Sequence, residues 1–379
     1  MKKRILILNG QYLPGFKGGG PIQSCVNMVE NLSDEFEFYV LTADRDFKST
    51  QQYKDILVNS WNQVGSAKVF YMSPDMQTLK GFKKTLNEID YDLLYLNGFF
   101  SPIFTIKPLV LRKLGLLKQN KIILTPRGDF TGGTEKKKLK KYIYIYICKL
   151  IGLYSGLFWH ATSELEAKDV KKQFKKADIF NVSNLSAKVS LKPSLLKKQP
   201  DELRLVFISR ISPKKNLKFA LQILKNIKKG NVVFDIFGPL EDKTYWKECQ
   251  TVIDEIPPNV TVTYKGELSH SEVPETFQQY HAFFFPTLGE NYGHVIVEAM
   301  MNNCLPVLSK GVTPWDDYIQ FLGLGAKLSS KKDFEQIIIN LLKKDTEEFT
   351  TTLNMNYMYV NDNFNNKTII QQYIDNFKK

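Results

Sequence analysis

Along the chain, short apolar runs of strand length alternate with stretches whose apolar residues recur at helical spacing. In the first half the strand runs are Ile5 to Leu8, Phe36 to Leu41, Lys68 to Met72, Leu93 to Leu96 and Ile122 to Thr125. In the second half they are Leu203 to Ile208, Val232 to Phe237, Val260 to Tyr264, Ala282 to Thr287 and Leu305 to Ser309, with helical segments such as Leu217 to Ile227 between them. Strand and helix in alternation predict parallel sheets covered by helices. The two series are separated by LSAKVSLKPSLLKKQPD, Leu185 to Asp201, whose weak periodicity and two prolines read as an interdomain linker. The predicted fold class is α/β: two Rossmann-like, doubly wound domains facing a cleft. The first spans residues 1–190 and the second 200–355. The remainder, 356–379, is expected to form a final helix over Lys367 to Lys379 that packs back on the first domain.

Length and composition agree with this reading, since 379 residues suit two domains and 43% hydrophobic with 24% charged residues is globular. A formal charge of +13 favours an anionic partner: nucleotide, anionic lipid or nucleic acid. Nucleic acid is disfavoured, because the lysines are dispersed and no nucleic-acid module is readable. Cys25, Cys148, Cys249 and Cys304 are scattered without C-x-x-C spacing, so neither a disulfide framework nor a zinc site is predicted and a reducing cytoplasm is the expected location. The start, MKKRILILNG, has too short an apolar run for a signal-peptide core and reads as the first strand. Tyr142 to Ala161 approaches membrane-span length but is interrupted by Lys149, Gly152, Ser155 and Gly156. It reads as a helix packed on its own domain, followed by a short strand.

The densest chemistry lies in AFFFPTLGENYGHVIVEAMMNNCLPVLS, which reads as strand, loop, helix and strand. The loop falls at the carboxyl end of a buried strand, the edge where doubly wound sheets bind ligands. The first amides of the helix, around Gly293 to Val295, and the helix dipole suit a diphosphate, with His294 beside them. Glu290 on the loop is placed to accept hydrogen bonds from sugar hydroxyls, and Glu298, about one and a half turns into the helix, to reach a ribose diol. Taken alone, two glutamates at this spacing read better as ordinary helix-surface carboxylates, and it is the surrounding residues that reverse this. Arg210 closes the first strand of the second half, with Lys214 and Lys215 in the next loop, and such cations can hold a diphosphate or simply be solvated. Gly18, Gly19 and Gly20 precede an amphipathic helix starting near Pro21 and let backbone approach a ligand, without forming G-x-G-x-x-G. Asp44 and Asp46 form a D-x-D read as a solvated turn, and no essential metal is predicted. His160, His270 and His281 read as structural. The basic run Glu135 to Leu150 suits either an anionic lipid surface or a solvated helix end.

Together these residues resemble glycosyltransferase family 4, the retaining, metal-independent enzymes of GT-B architecture, over nearly the whole chain. PTLGENYGHVIVEAMMNNCLPVLS looks like that family's paired-glutamate motif, with Glu290 and Glu298 as its acids and Asn291, Tyr292, Gly293 and His294 on the donor side. SRISPKKNL resembles the phosphate-binding segment, which gives Arg210 and Lys215 the diphosphate contacts. FDIFGPLED, with Gly238, is similar to the glycine turn after the next strand, and LPGFKGGGPIQS to the glycine-rich loop that would bring Gly19 and Gly20 to the donor. DLLYLNG, with Asn97, resembles a cleft-lining segment. At TPRGDF the chain departs from the pattern, carrying Arg127 where many relatives have a histidine; Arg127 and Asp129 are candidates for phosphate or acceptor contact. The resemblance implies transfer from a nucleoside-diphosphate sugar to a glycan or lipid-linked glycan in bacterial surface polysaccharide biosynthesis. No cofactor is implied, and the enzyme is expected in the cytoplasm, with peripheral contact at the inner face of the plasma membrane. A sugar-nucleotide epimerase or hydrolase on the same scaffold is the alternative.

Overall fold

The structure, a computed structural model, describes residues 2–118, 121–130, 135–186, 196–269, 272–363 and 366–379. Most of the expected linker and His270 lie outside them. The chain forms two units, Met1–Lys188 with Asn366–Lys379, and Val189–Asn365.

The first unit runs β1 (Lys3–Leu8), α1 (Gly20–Leu32), β2 (Phe36–Ala43), β3 (Trp61–Val64), β4 (Ala67–Met72), α2 (Leu79–Glu88), β5 (Leu93–Asn97), a π-helical turn Pro102–Ile106, α3 (Lys107–Lys113), β6 (Lys121–Thr125), α4 (Glu135–Leu150), β7 (Phe158–Ala161), α5 (Glu164–Gln173) and β8 (Asp178–Asn181). Its sheet has the order β3-β4-β2-β1-β5-β6-β7-β8. All neighbours are parallel except β3, which pairs antiparallel with β4. Central β5, LLYLN, is buried at every position, as a parallel strand covered on both faces must be. The order reverses between β1 and β5, so the loops after these two strands leave in opposite directions and open a crevice at their carboxyl ends. Asn9 and Asn97 stand there.

The second unit contains β9 (Glu202–Ile208), a 3-10 turn Pro213–Lys215, α6 (Leu217–Leu224), β10 (Asn231–Phe237), α7 (Lys243–Ile253), β11 (Val260–Gly266), α8 (Val273–Phe277), β12 (Ala282–Phe285), α9 (His294–Met301), β13 (Leu305–Ser309), α10 (Asp316–Leu322), β14 (Gly325–Ala326), α11 (Lys331–Lys343) and α12 (Thr346–Asn363). Its six strands are parallel in the order β11-β10-β9-β12-β13-β14. Here the reversal falls between β9 and β12. The segments that follow these two strands carry Arg210 and Lys215 on one side and Glu290 on the other.

The last helix, α13 (Asn366–Lys378), belongs to the first unit. Its apolar face, Tyr373, Ile374 and Phe377, is buried in the core beneath α1 and the sheet. The Phe377 ring lies 5.7 Å from Phe36 and 5.9 Å from Tyr95. No helix among the described residues is long and apolar enough to cross a membrane. Removing the Phe377 ring should leave a cavity in this core, so Phe377→Ala is expected to destabilise the first unit by about 3 kcal/mol. Thermal unfolding would register this as a lowered transition, and an unchanged melting temperature would show that α13 contributes nothing to that core.

Candidate active site

In the second unit, backbone geometry brings the turns at the sheet edge together. Gly238, directly after β10, has φ 133°, and a Cβ there would lie 1.9 Å from the carbonyl of Ser209. Only glycine lets this turn lie against the one that carries Arg210. On the other side of the reversal, Leu288 N–H donates to the Lys214 carbonyl at 2.9 Å and Asn216 Nδ2 to the Pro286 carbonyl at 2.8 Å. The loop after β12 is thereby tied to the 3-10 turn after β9. Gly293 starts α9 in the left-handed region, φ 80°, and a Cβ there would meet Ile296 at 2.8 Å.

Within this frame the Lys215 ammonium donates to Glu290 Oε1 at 2.5 Å, and each side chain is only 12% exposed. Thr287 Oγ1 donates to the same oxygen at 3.2 Å. Burial pulls Lys215 below the ordinary lysine value, opposed by the Glu290 charge and reinforced by Arg210 and Lys214 nearby. Arg210 lies more open, with Nη1 3.1 Å from Glu241 Oε2. Asn291 and Tyr292 lie half-buried on the turn into α9, and the Tyr292 ring packs at a tilt against His294 and edge-on to Trp315, at 4.8 and 5.3 Å. The Ile296 amide is taken by the Gly293 carbonyl at 2.8 Å, which confines the donors left at this helix end to its first positions.

Glu298 is different. Its carboxylate has no hydrogen-bond or ion-pair partner among the described residues, and burial pushes it up to about 7. The residue is half-buried, and an acid held largely away from water without a protein donor is costly unless something else supplies one.

In the first unit, Gly19 takes φ 65° in the loop before α1, and Gly20 is the first residue of that helix. Asn97, at the end of β5, donates to the Pro21 carbonyl at 3.4 Å and accepts from Arg127 Nε at 2.7 Å. Arg127, itself at φ 55°, also donates to Asn184 Oδ1 and, at 3.4 Å, to the Tyr95 hydroxyl. Gly19, Gly20, Asn97 and Arg127 therefore gather at the β1–β5 reversal. Asp129 Oδ2 is occupied by the amides of Phe99 and Phe100, at 2.7 and 3.2 Å, and burial raises its carboxyl above the usual range.

The D-x-D is not a solvated turn. Asp44 is 1% exposed and paired with Arg45, while Asp46 Oδ2 accepts from Phe16 and Lys17 at 3.0 and 3.1 Å. Asp46 thereby holds the backbone of the glycine-rich loop region, while the Asp44 carboxylate is taken by its neighbour Arg45. His160 is buried between Tyr95 and the Val182 carbonyl, and His281 accepts from the Arg204 amide. Sequence reasoning missed Thr287, Asn216 and Asn184. The first two lie inside the motifs already recognised, where the charged neighbours drew the reading, and Asn184 carries no signal beyond its place after a short strand. Among the described residues no three His, Cys, Asp or Glu cluster closely enough to hold a metal ion.

Residues 191–354 match the sequence model of the family described as Glycosyl transferases group 1. An uncharacterized 41.2 kDa protein in the cps region of Klebsiella pneumoniae is 24% identical over 266 residues, which is 67% of this chain and 70% of that protein. Among solved structures, Anabaena HepE in complex with UDP and glucose superposes with a TM-score of 0.72 at 15% identity, covering 99% of each chain. A sucrose-phosphate synthase from Thermosynechococcus elongatus gives 0.72 at 14% identity over 100% of this chain and 98% of its own. TarM from S. aureus, crystallised with fondaparinux, alpha-GlcNAc-glycerol and UDP, gives 0.69 at 14% identity over 100% of both. The structural likeness gives the fold, GT-B, and the family match the activity class: the chain is a glycosyltransferase.

The two cations should separate on substitution. Lys215→Met strands the buried Glu290 charge and is expected to destabilise the second unit by about 3 kcal/mol. Arg210→Met breaks a pair that is 38% and 27% exposed and should cost less than about 1 kcal/mol. Equal melting temperatures for the two variants would contradict the buried pair.

Proposed function

We propose that this glycosyltransferase moves a sugar from a nucleoside-diphosphate sugar to a hydroxyl of a glycan or lipid-linked glycan, with retention at the anomeric carbon and without a metal ion, in building a bacterial surface polysaccharide. The observation that carries this reading is the presence of a half-buried Glu298, without a protein partner among the described residues, beside the Lys215–Glu290 ion pair at one sheet reversal. A ribose diol offers Glu298 the two donors it lacks. A diphosphate at Arg210, Lys215 and the first amides of α9 meets positive charge and helix dipole together. Tyr292 and His294 wall the same turn, and Gly238 keeps the neighbouring backbone close. UDP is the nucleotide in the HepE and TarM complexes, and the Klebsiella relative lies in a cps region, which supports a uridine donor and a polysaccharide product.

In the proposed step the bond between the anomeric carbon and the diphosphate oxygen breaks while the acceptor oxygen bonds that carbon on the same face. The acceptor proton passes to the leaving diphosphate. Negative charge grows on the departing group, so Arg210 and Lys215 strengthen their hold as the barrier is climbed and lower it. Glu290 accepts from hydroxyls of the sugar, exchanging its bond to Lys215 for bonds to substrate as Lys215 turns to phosphate. On the first unit Gly19 and Gly20 give backbone access to the donor. Asn97 and Arg127 are assigned to the acceptor edge, and Asp129 acts as a positioning residue through the Phe99–Phe100 turn. The enzyme is placed in the cytoplasm.

Glu290→Ala is expected to cut transfer by at least about a hundredfold while sparing nucleotide affinity, whereas Glu298→Ala weakens nucleotide binding itself. Near-normal turnover in both variants refutes the assignment. Glu298 must be ionised to grip a diol, and in the free protein it titrates near 7. Below that value a proton must leave on binding, so UDP affinity should rise with pH by up to about tenfold per unit and level off above it. Calorimetry from pH 6 to 8 in EDTA checks this: Glu298→Gln should flatten the profile, and a wild-type affinity that falls as pH rises contradicts the role. Turnover lost to EDTA would remove metal independence, and an inverted anomer in the product's NMR spectrum would remove retention.

A further inference from the structure

The second half of α4 and the start of the turn after it leave a continuous apolar stripe in water. Tyr142 is 59% exposed, Ile143 53%, Tyr146 67%, Ile147 51%, Leu150 76% and Ile151 46%. These positions recur as i, i+1, i+4, i+5, i+8 and i+9, which is one face of the helix. The opposite face is already spent on the first unit's core, where Ile145 and Cys148 are buried and the Tyr144 ring lies 5.9 Å from Phe99. The stripe is therefore not the inward side of a helix that failed to pack. Arg112 donates from α3 to the Ser155 carbonyl at 2.9 Å, which ties the end of α3 to the turn after α4. Leu114, 62% exposed, follows Arg112 on that side, and Lys113 Nζ comes within 3.7 Å of where a Cβ on Gly152 would stand.

Cations rim this surface. Lys113 and Lys149 are exposed, and the chain as a whole carries a formal charge of +13. An apolar stripe of this extent normally marks an interaction site. Tyrosines with polar tips, branched apolar side chains and flanking lysines suit the boundary between acyl chains and anionic headgroups. At 16 residues, α4 is too short and too charged to cross a bilayer.

We propose that α4 and the turn after it seat the first unit on the surface of an anionic bilayer. This goes beyond the transfer reaction and is read independently of it. The test is co-sedimentation of the full chain with vesicles of phosphatidylcholine alone and of phosphatidylcholine mixed with phosphatidylglycerol. The expected result is binding to the mixed vesicles that weakens with added salt, little binding to the neutral ones, and an approximately tenfold loss in a Tyr146→Asp, Ile147→Asp double variant. Lys113→Glu with Lys149→Glu should cut the preference for the anionic vesicles. UDP affinity equal to wild type in both variants separates loss of the seat from loss of fold. No binding by wild type, equal binding to both vesicle types, or undiminished binding by the apolar variant overturns the proposal. So does a wild-type dimer that the double variant dissolves while vesicle binding stays the same, since the stripe would then cover a second copy.

Discussion

A buried lysine bonded to a buried glutamate 75 positions away holds the second unit's site together. The two side chains come from segments that follow strands on opposite sides of the point where strand order reverses. Nothing in the sheet itself forces those segments to meet. Once both charges have left water, each needs the other, because an isolated buried charge costs several kcal/mol while a matched pair largely offsets that cost. The bond from the Leu288 amide to the Lys214 carbonyl joins the same two segments. The pair is also replaceable. A ligand that brings negative charge to the ammonium and hydroxyls to the carboxylate satisfies both partners at once, so this junction can be stable when closed and receptive when occupied.

The first unit solves a related problem without an ion pair. Arg127 sits where the family resemblance leads one to expect histidine, and its guanidinium is surrounded by Asn97, Asn184, Tyr95 and Cys25. Among the described residues no carboxylate lies within ion-pair distance of it. Neutral acceptors orient the fork of N–H groups while leaving its charge largely uncancelled. Glu166 contributes only at longer range, because its own oxygens are taken by the Gly128 and Thr162 amides and the Thr162 hydroxyl. Arg127 therefore organises the sheet edge by bonding to β5 and to the segment after β8, a task that a shorter imidazole at the same position could not perform with the same three partners.

Much of this was readable in the amino-acid order. Fully buried parallel strands are continuous apolar runs, so β1, β5, β9, β12 and β13 announce themselves. The strands that escaped, β3, β8 and β14, sit at or next to sheet edges, where WNQV, DIFN and a two-residue GA carry little apolar signal. That Arg210, Lys215 and Glu290 fall on segments after buried strands, and Glu298 in the helix that follows, was legible from the alternation of strand and helix patterns. Their mutual arrangement was not: local pattern says nothing about which of two cations a carboxylate will choose, and here it chose Lys215 while Arg210 turned to Glu241. The D-x-D at Asp44 and Asp46 misled because a polar pair next to an arginine looks solvated, whereas tertiary packing buried Asp44 and gave Asp46 the backbone of a distant loop to hold. Long-range partners such as Asn184 leave no periodic trace at all.

The placement of α13 bears on how the polypeptide is made. A ribosome delivers the first unit's sheet early, yet Tyr373 and Phe377, which close its core beneath Phe36 and Tyr95, emerge only after the whole second unit has been synthesised. Until then the nascent first unit carries an uncovered apolar surface, and the second unit, whose segments are contiguous, can complete its own core sooner. The order of synthesis and the order of completion are thus reversed, which leaves the early-made half exposed to chaperones and to aggregation for longer than the late-made one.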